Sequence, residues 1–174
     1  MYHEIERKFL IESMPDLKGI KPILNEQYFL QHGDLMEERI QKKDGVCEHE
    51  IKTIFASGEW SREKSVIDEK DFNLLKARSS KVLLRESYSL SKINPRLSVK
   101  VYQGTYKGLV FAEVEFNSHE EAENYEPLEW MGTEITHCPL GRDAWLLNFD
   151  REHFLNALQT ENDKLNKDMM SGSL

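Results

Sequence analysis

The chain has 174 residues, 39% hydrophobic and 31% charged, with a formal net charge of −8. That length fits one domain with a sizeable core, and the acidic balance excludes a general binder of nucleic-acid backbones or anionic membranes. No apolar run approaches the roughly 20 residues that span a bilayer. The two cysteines, Cys47 and Cys138, point to a reduced cytoplasmic setting without a secretory leader.

The first strand is expected over residues 2–11, followed by an irregular connection marked by Pro15, Gly19 and Pro22. Residues 27–31 read as a strand that turns at His32-Gly33-Asp34. Strands over 35–42 and 47–55 form a hairpin around Lys43-Asp44-Gly45-Val46, and a turn at Ser57-Gly58-Glu59 leads into a strand over 60–67. A helix follows over 69–78, capped by Asp68, with Phe72, Leu75 and Ala77 as its buried stripe. Strands over 81–90, 96–103 and 109–117 come next. Ser118-His119-Glu120-Glu121 is a capping-box arrangement opening a short helix that Pro127 ends. Residues 141–148 and 150–159 read as two helical pieces whose Trp145, Leu146, Phe149, Phe154, Leu155 and Leu158 cover the outside of a sheet. The order gives a single α+β domain over 1–160 and a polar, mobile tail over 161–174.

Successive side chains of a strand point to opposite faces. Glu4, Glu6 and Lys8 therefore share one face of the first strand, with Ile5 and Phe9 opposite and Arg7 between them. Two carboxylates at that spacing suit a hard divalent cation, and a neighbouring lysine suits the cation's phosphate ligand. The same polarity recurs in Glu37, Arg39 and Gln41, in Glu48, Glu50 and Lys52, and in Arg62 with Lys64. Arg85 with Ser87, Ser98 with Lys100 and Tyr102, and Phe111 with Glu113 and Glu115 continue it. A flat sheet exposes such faces to water. A closed sheet turns them inward around a lumen holding both signs of charge. Cys47, His49, His137 and Cys138 lack the paired spacing of a zinc site and read as incidental. No phosphate-binding glycine loop of the G-x-x-x-x-G-K-[ST] type is present.

Glu4-Ile5-Glu6-Arg7-Lys8 resembles the E-x-E-x-K signature of the CYTH superfamily, the triphosphate tunnel metalloenzymes. Arg39-Ile40-Gln41 takes the place of its R-x-R strand and Ile51-Lys52 that of the next strand's lysine. Ser61-Arg62-Glu63-Lys64 resembles the charged fourth strand, and Leu84-Arg85-Glu86-Ser87-Tyr88 falls where the family shows K-x-R-Y. Ala112-Glu113-Val114-Glu115-Phe116 is similar to its E-V-E-F strand. Trp130-Met131-Gly132 and Leu140-Gly141-Arg142-Asp143 resemble its late tryptophan-glycine and basic helix start.

The resemblance implies an eight-stranded antiparallel, barrel-like tunnel with flanking helices. It also implies hydrolysis of inorganic tripolyphosphate or a small organic triphosphate with Mg²⁺ or Mn²⁺. Carried over, Lys8, Arg39, Lys52, Arg62, Arg85 and Arg142 bind phosphate oxygens, joined by Lys64 and Lys100. Glu4, Glu6, Glu113 and Glu115 hold the metal, and Lys8, Glu4 and Glu6 are the candidate catalytic residues. The implied partner is a small-molecule triphosphate, with no nucleic acid or membrane; the oligomeric state is not given. Gln41, Ser87 and Leu140 stand where the family has basic residues, Glu50 where it has a small hydroxyl, and Lys100 where an acidic residue is common. Phe29 takes the place of a tyrosine, with Tyr28 one residue off. These departures motivate a second reading, a non-catalytic triphosphate-binding module. A third, a class IV adenylyl cyclase, lacks an evident adenine pocket.

Overall fold

The computed structural model describes residues 5–54 and 60–171. Most of them build one antiparallel sheet of β1 (Ile5–Ile11), β2 (Ile23–His32), β3 (Met36–Lys43), β4 (Val46–Ile54), β5 (Trp60–Val66), β6 (Lys81–Ser91), β7 (Arg96–Gln103), β8 (Val110–Phe116) and β9 (Met131–Glu134). The strands lie in the order β5-β4-β3-β2-β6-β7-β8-β1-β9. Every expected strand is present, and the ninth, β9, adds to the free side of β1. β5 and β9 are the two edges, so the barrel-like tunnel is a curled sheet without a hydrogen-bonded seam.

Local chemistry sets the connections. Asp44 and Gly45 both take positive φ, 50° and 84°, the conformation that a tight turn between twisted strands demands. α1 (Glu69–Lys76) starts where the Asp68 carboxylate accepts from the Asp71 amide at 2.7 Å. α2 (His119–Glu123) starts at Ser118, whose hydroxyl accepts from the Glu121 amide. α3 (Asp143–Leu146) follows a 3-10 turn over Pro139–Gly141. α4 (Arg151–Ser171) carries helical structure on through the polar C-terminal segment. Among the described residues, no helix is long and apolar enough to cross a membrane.

Three apolar clusters position the site. α1 packs Phe72 against Ile40 and Cys47 on the outer side of β3 and β4. Phe9, Ala112, Val114 and Phe116, on the outward face of β1 and β8, meet Ala122 of α2 and Met131. The third cluster corrects an expectation. Leu10, Phe29, Leu83, Tyr102 and Phe111 sit on the same strand faces as the charged residues, and they bury against Leu140, Leu146, Leu147 and Phe154. The C-terminal helices therefore plug the inside of the sheet and do not cover its outside. Trp145 and Leu155 stay largely out of this plug, at 36% and 44% exposed.

Candidate active site

The inward residues of β1 to β8 line one cavity of about 430 Å³. β1 pairs with β8 so that Glu6 opposes Glu115 and Lys8 opposes Glu113. Directly opposed residues of an antiparallel pair share a face, which brings all four to one wall. Lys8 Nζ lies 2.9 Å from Glu6 Oε1 and 3.7 Å from Glu113 Oε2, and it donates to the Gly141 carbonyl at 3.0 Å. Lys100 on β7 sits 3.1 Å from the other Glu113 oxygen and donates to Ser87 Oγ at 3.0 Å. Glu115 is paired with Arg96.

The opposite wall comes from β3, β4 and β5. Arg39 Nη2 donates to Glu50 Oε1 at 2.6 Å, and Arg62 Nε lies 3.4 Å from the same oxygen. Glu50 is therefore the counter-ion of two guanidiniums, which explains how a carboxylate tolerates burial beside Lys52. Lys64 Nζ pairs with Glu48 at 2.9 Å. Between the walls, the start of α3 inserts Asp143. Its carboxylate accepts from the Tyr102 hydroxyl at 2.7 Å, with Arg85 at 3.4 Å and Arg39 at 3.7 Å.

These neighbours decide the charge states. Burial pulls Lys8 down, yet Glu6, Glu113 and Asp143 outweigh it and hold the amine above its usual range. Burial pushes Glu113 up, but Lys100, Lys8 and Arg85 hold it down to about 2. Asp143 is likewise held at about 2 against its burial by Arg85, Arg39 and Lys8. Lys52 is lowered, first by burial and then by Arg62 and Arg39, with Glu37 acting against them.

Glu6, Lys8, Arg39, Lys52, Arg62, Lys64, Arg85, Lys100, Glu113, Glu115 and Arg142 all line the cavity. Glu4 lies outside the described residues. Tyr28 faces away, packing edge-on against Phe72, and the β2 irregularity falls after Phe29, too late to turn Tyr28 inward. Phe29 instead sits under the Arg39 guanidinium, 5.7 Å from its ring centre. The cavity also holds Asn25, Gln27, Lys43, His137 and Asp143, which the charge patterning did not single out. Among the described residues, no three His, Cys, Asp or Glu side chains are gathered as a metal centre, because the carboxylates are turned to cations.

Among the described residues, the lining holds nine lysines and arginines against six carboxylates, inside a chain of net charge −8. Among the described residues, no aromatic side chain other than His137 and no aliphatic side chain lines it. Such a cavity is suited to neutralising a compact polyanion and, among the described residues, offers a nucleobase only the His137 ring to stack on.

No protein-family model matches the chain. It is 29% identical over 137 residues to the inorganic triphosphatase of Nitrosomonas europaea, covering 76% of this chain and 89% of that one. A crystal structure of an inorganic triphosphatase superposes with a TM-score of 0.65 at 25% identity, over 84% of this chain and 95% of that one. A putative adenylate cyclase from Bacillus halodurans shares the fold, with a TM-score of 0.54 at 16% identity over 69% and 83% of the two chains. In its fold and its charged interior, the chain is similar to these proteins, an inorganic triphosphatase by sequence and structure and a putative adenylate cyclase by fold.

Proposed function

We propose that the chain is a triphosphatase hydrolysing inorganic tripolyphosphate or a small organic triphosphate, carried by a single domain over residues 1–160. The observation that carries this reading is that, among the described residues, nine cations and six carboxylates converge on one cavity without an apolar lining. Phosphoryl transfer depends mainly on charge neutralisation and positioning. Arg39 and Arg85 clamp phosphate oxygens, with Lys52, Arg62, Lys64, Lys100 and Arg142 spreading the positive charge along the ligand. Lys8, held protonated, is a poor base. It serves as a cation on the leaving phosphate oxygen. Water adds across a P–O–P bond: a new P–O bond forms, the bridging P–O bond breaks, and the water proton passes to a phosphate oxygen.

Glu6, Glu113 and Glu115 stand at neighbouring register positions of β1 and β8 and offer only oxygen donors, the chemistry that suits Mg²⁺ or Mn²⁺; to hold an ion they would turn from Lys8, Lys100 and Arg96. Glu4 extends the same motif. A divalent ion held there supplies charge neutralisation between the carboxylates and the phosphates. Two cysteines without a disulfide accord with a reduced, cytoplasmic setting.

The test is phosphate release from tripolyphosphate with Mg²⁺ or Mn²⁺. Turnover with either ion is expected. Thermal stabilisation by tripolyphosphate without product would favour a binding module, and pyrophosphate with cyclic AMP from ATP would favour a cyclase.

A further inference from the structure

Among the described residues, Lys43 of the cavity wall has no carboxylate within ion-pair distance. Lys43 ends β3 on the same face as Arg39 and Gln41, and all three line the cavity. Lys8, Arg39, Arg85 and Lys100 each face a carboxylate within ion-pair distance. Among the described residues, none reaches Lys43. Glu48 acts on its amine only weakly, and that side chain is already shared between Lys64 at 2.9 Å and Gln41 Nε2 at 2.7 Å.

What surrounds Lys43 is more positive charge and an unspent amide. After burial, Lys100, Lys64 and Arg85 lower its amine, with Glu48 acting against them. Its register partner on β2 is Asn25, whose own partner on β6 is Arg85, so the three form one row across the wall. Asn25 is 7% exposed and its side-chain oxygen has no partner in the assigned orientation. Exchanging the amide oxygen and nitrogen turns a donor toward the same space. Like charges gathered around a buried amide on a cavity wall make a site for an anion.

Lys43 lies four residues beyond Arg39, roughly 13 Å along the strand. A single phosphate does not touch both. We propose that Lys43, with Asn25 and Lys64, forms an end subsite for an outer phosphate of a linear polyphosphate, so that chain length is read at this end of the cavity. This rests on the triphosphatase reading and adds a specificity-determining residue to it.

The test is calorimetric binding of sodium pyrophosphate and sodium tetrapolyphosphate, with and without Mg²⁺, to wild type and Lys43→Met. Lys70→Met, an exposed lysine of α1 outside the cavity, is the control. Lys43→Met is expected to weaken tetrapolyphosphate roughly tenfold, as for loss of a charge-assisted contact, and pyrophosphate by less than twofold. An equal loss at both lengths means general electrostatics and overturns the subsite. So does a variant matching wild type at both lengths, with the triphosphatase reading left intact. Wild type binding neither chain under either condition overturns that reading and the subsite with it.

Discussion

Arg39 and Glu50 form an ion pair on the cavity wall, 2.6 Å apart, with the carboxylate side chain only 3% exposed. Glu50 holds Arg62 at 3.4 Å through the same oxygen. With its one oxygen between two guanidiniums, Glu50 does part of what a phosphate would do there. Removing one partner of a buried pair leaves an uncompensated charge and costs about 3–5 kcal/mol. Glu50→Gln is therefore expected to lower unfolding stability by about 3 kcal/mol, and tripolyphosphate should restore more stability to it than it gives wild type. Urea titrations with and without tripolyphosphate measure both; a variant as stable as wild type without ligand contradicts the assignment.

Arg39 carries a second prediction. Its Nε is buried without a hydrogen-bond partner among the described residues, leaving a donor unspent. Arg39→Ala should weaken tripolyphosphate binding by about 2 kcal/mol, roughly thirtyfold. Arg39→Lys should recover only part of this, because an ammonium lacks the planar fork. Full recovery by lysine in a binding titration would show that charge alone is needed.

The carboxylates of β1 and β8 can be separated from the fold. Glu6 is about one-third exposed as a side chain and Glu115 much the same, at 30% and 29%. Glu6→Gln and Glu115→Gln should abolish phosphate release with Mg²⁺ or Mn²⁺ while leaving the melting temperature within a few degrees of wild type. EDTA should silence the wild-type protein in the same assay. Undiminished release from both variants would remove these glutamates from the metal assignment.

Alternation made the strand faces legible: Glu6, Lys8, Arg39, Lys52, Arg85, Glu113 and Glu115 all point where period-2 reasoning places them. Alternation alone could not choose between an open face and an interior, since that depends on curl, a property of the whole sheet. β9 escaped because Met131–Glu134 is four residues long and includes Gly132, too short to show a period. Asn25 and Gln27 escaped because uncharged amides carry no patterning signal, and residues 23–26 follow Pro22 without an apolar alternation. Asp143 stood beside Arg142 at a helix start, where a carboxylate ordinarily serves the helix dipole. Its inward role arises only when Leu140, Leu146 and Leu147 dock on Tyr102 and Phe111.

Asp143 gives the pH dependence a sign. Its acidity is shifted from the usual 3.8 to about 2 by Arg85, Arg39 and Lys8, against the effect of burial. A group whose folded value is depressed stabilises fully above its unfolded value, and the stabilisation disappears as pH falls through the folded value. The loss should fall between about pH 4 and pH 2 and amount to roughly 2 kcal/mol. Asp143→Asn should flatten that part of the stability profile while retaining the Tyr102 hydrogen bond. An unchanged acid limb in the variant would show that Asp143 does not gain from its cations.

Gly141 links the plug to the charged centre. Its carbonyl accepts from Lys8 Nζ at 3.0 Å, and the next two residues are Arg142 and Asp143. A Cβ at this position would stand 2.0 Å from the Ile135 carbonyl oxygen and 2.9 Å from its carbon. Those atoms are backbone, so no side-chain rotation relieves the clash. The 3-10 turn must move away from the strand end, carrying the Lys8 acceptor and Asp143 with it. Gly141→Ala is expected to destabilise the fold by about 2–3 kcal/mol, as overpacking does. Because the shift also disturbs Lys8 and Asp143, tripolyphosphate turnover should fall at temperatures where circular dichroism still reports a folded chain. Gly104→Ala is the comparison: it carries the strain of a positive φ of 62°, but its nearest neighbour, a Leu84 methyl, is at an ordinary 3.7 Å. Its cost should appear in stability alone, with turnover of the folded fraction unchanged. Equal effects on turnover from the two substitutions would mean that Gly141 matters only as a residue of the core.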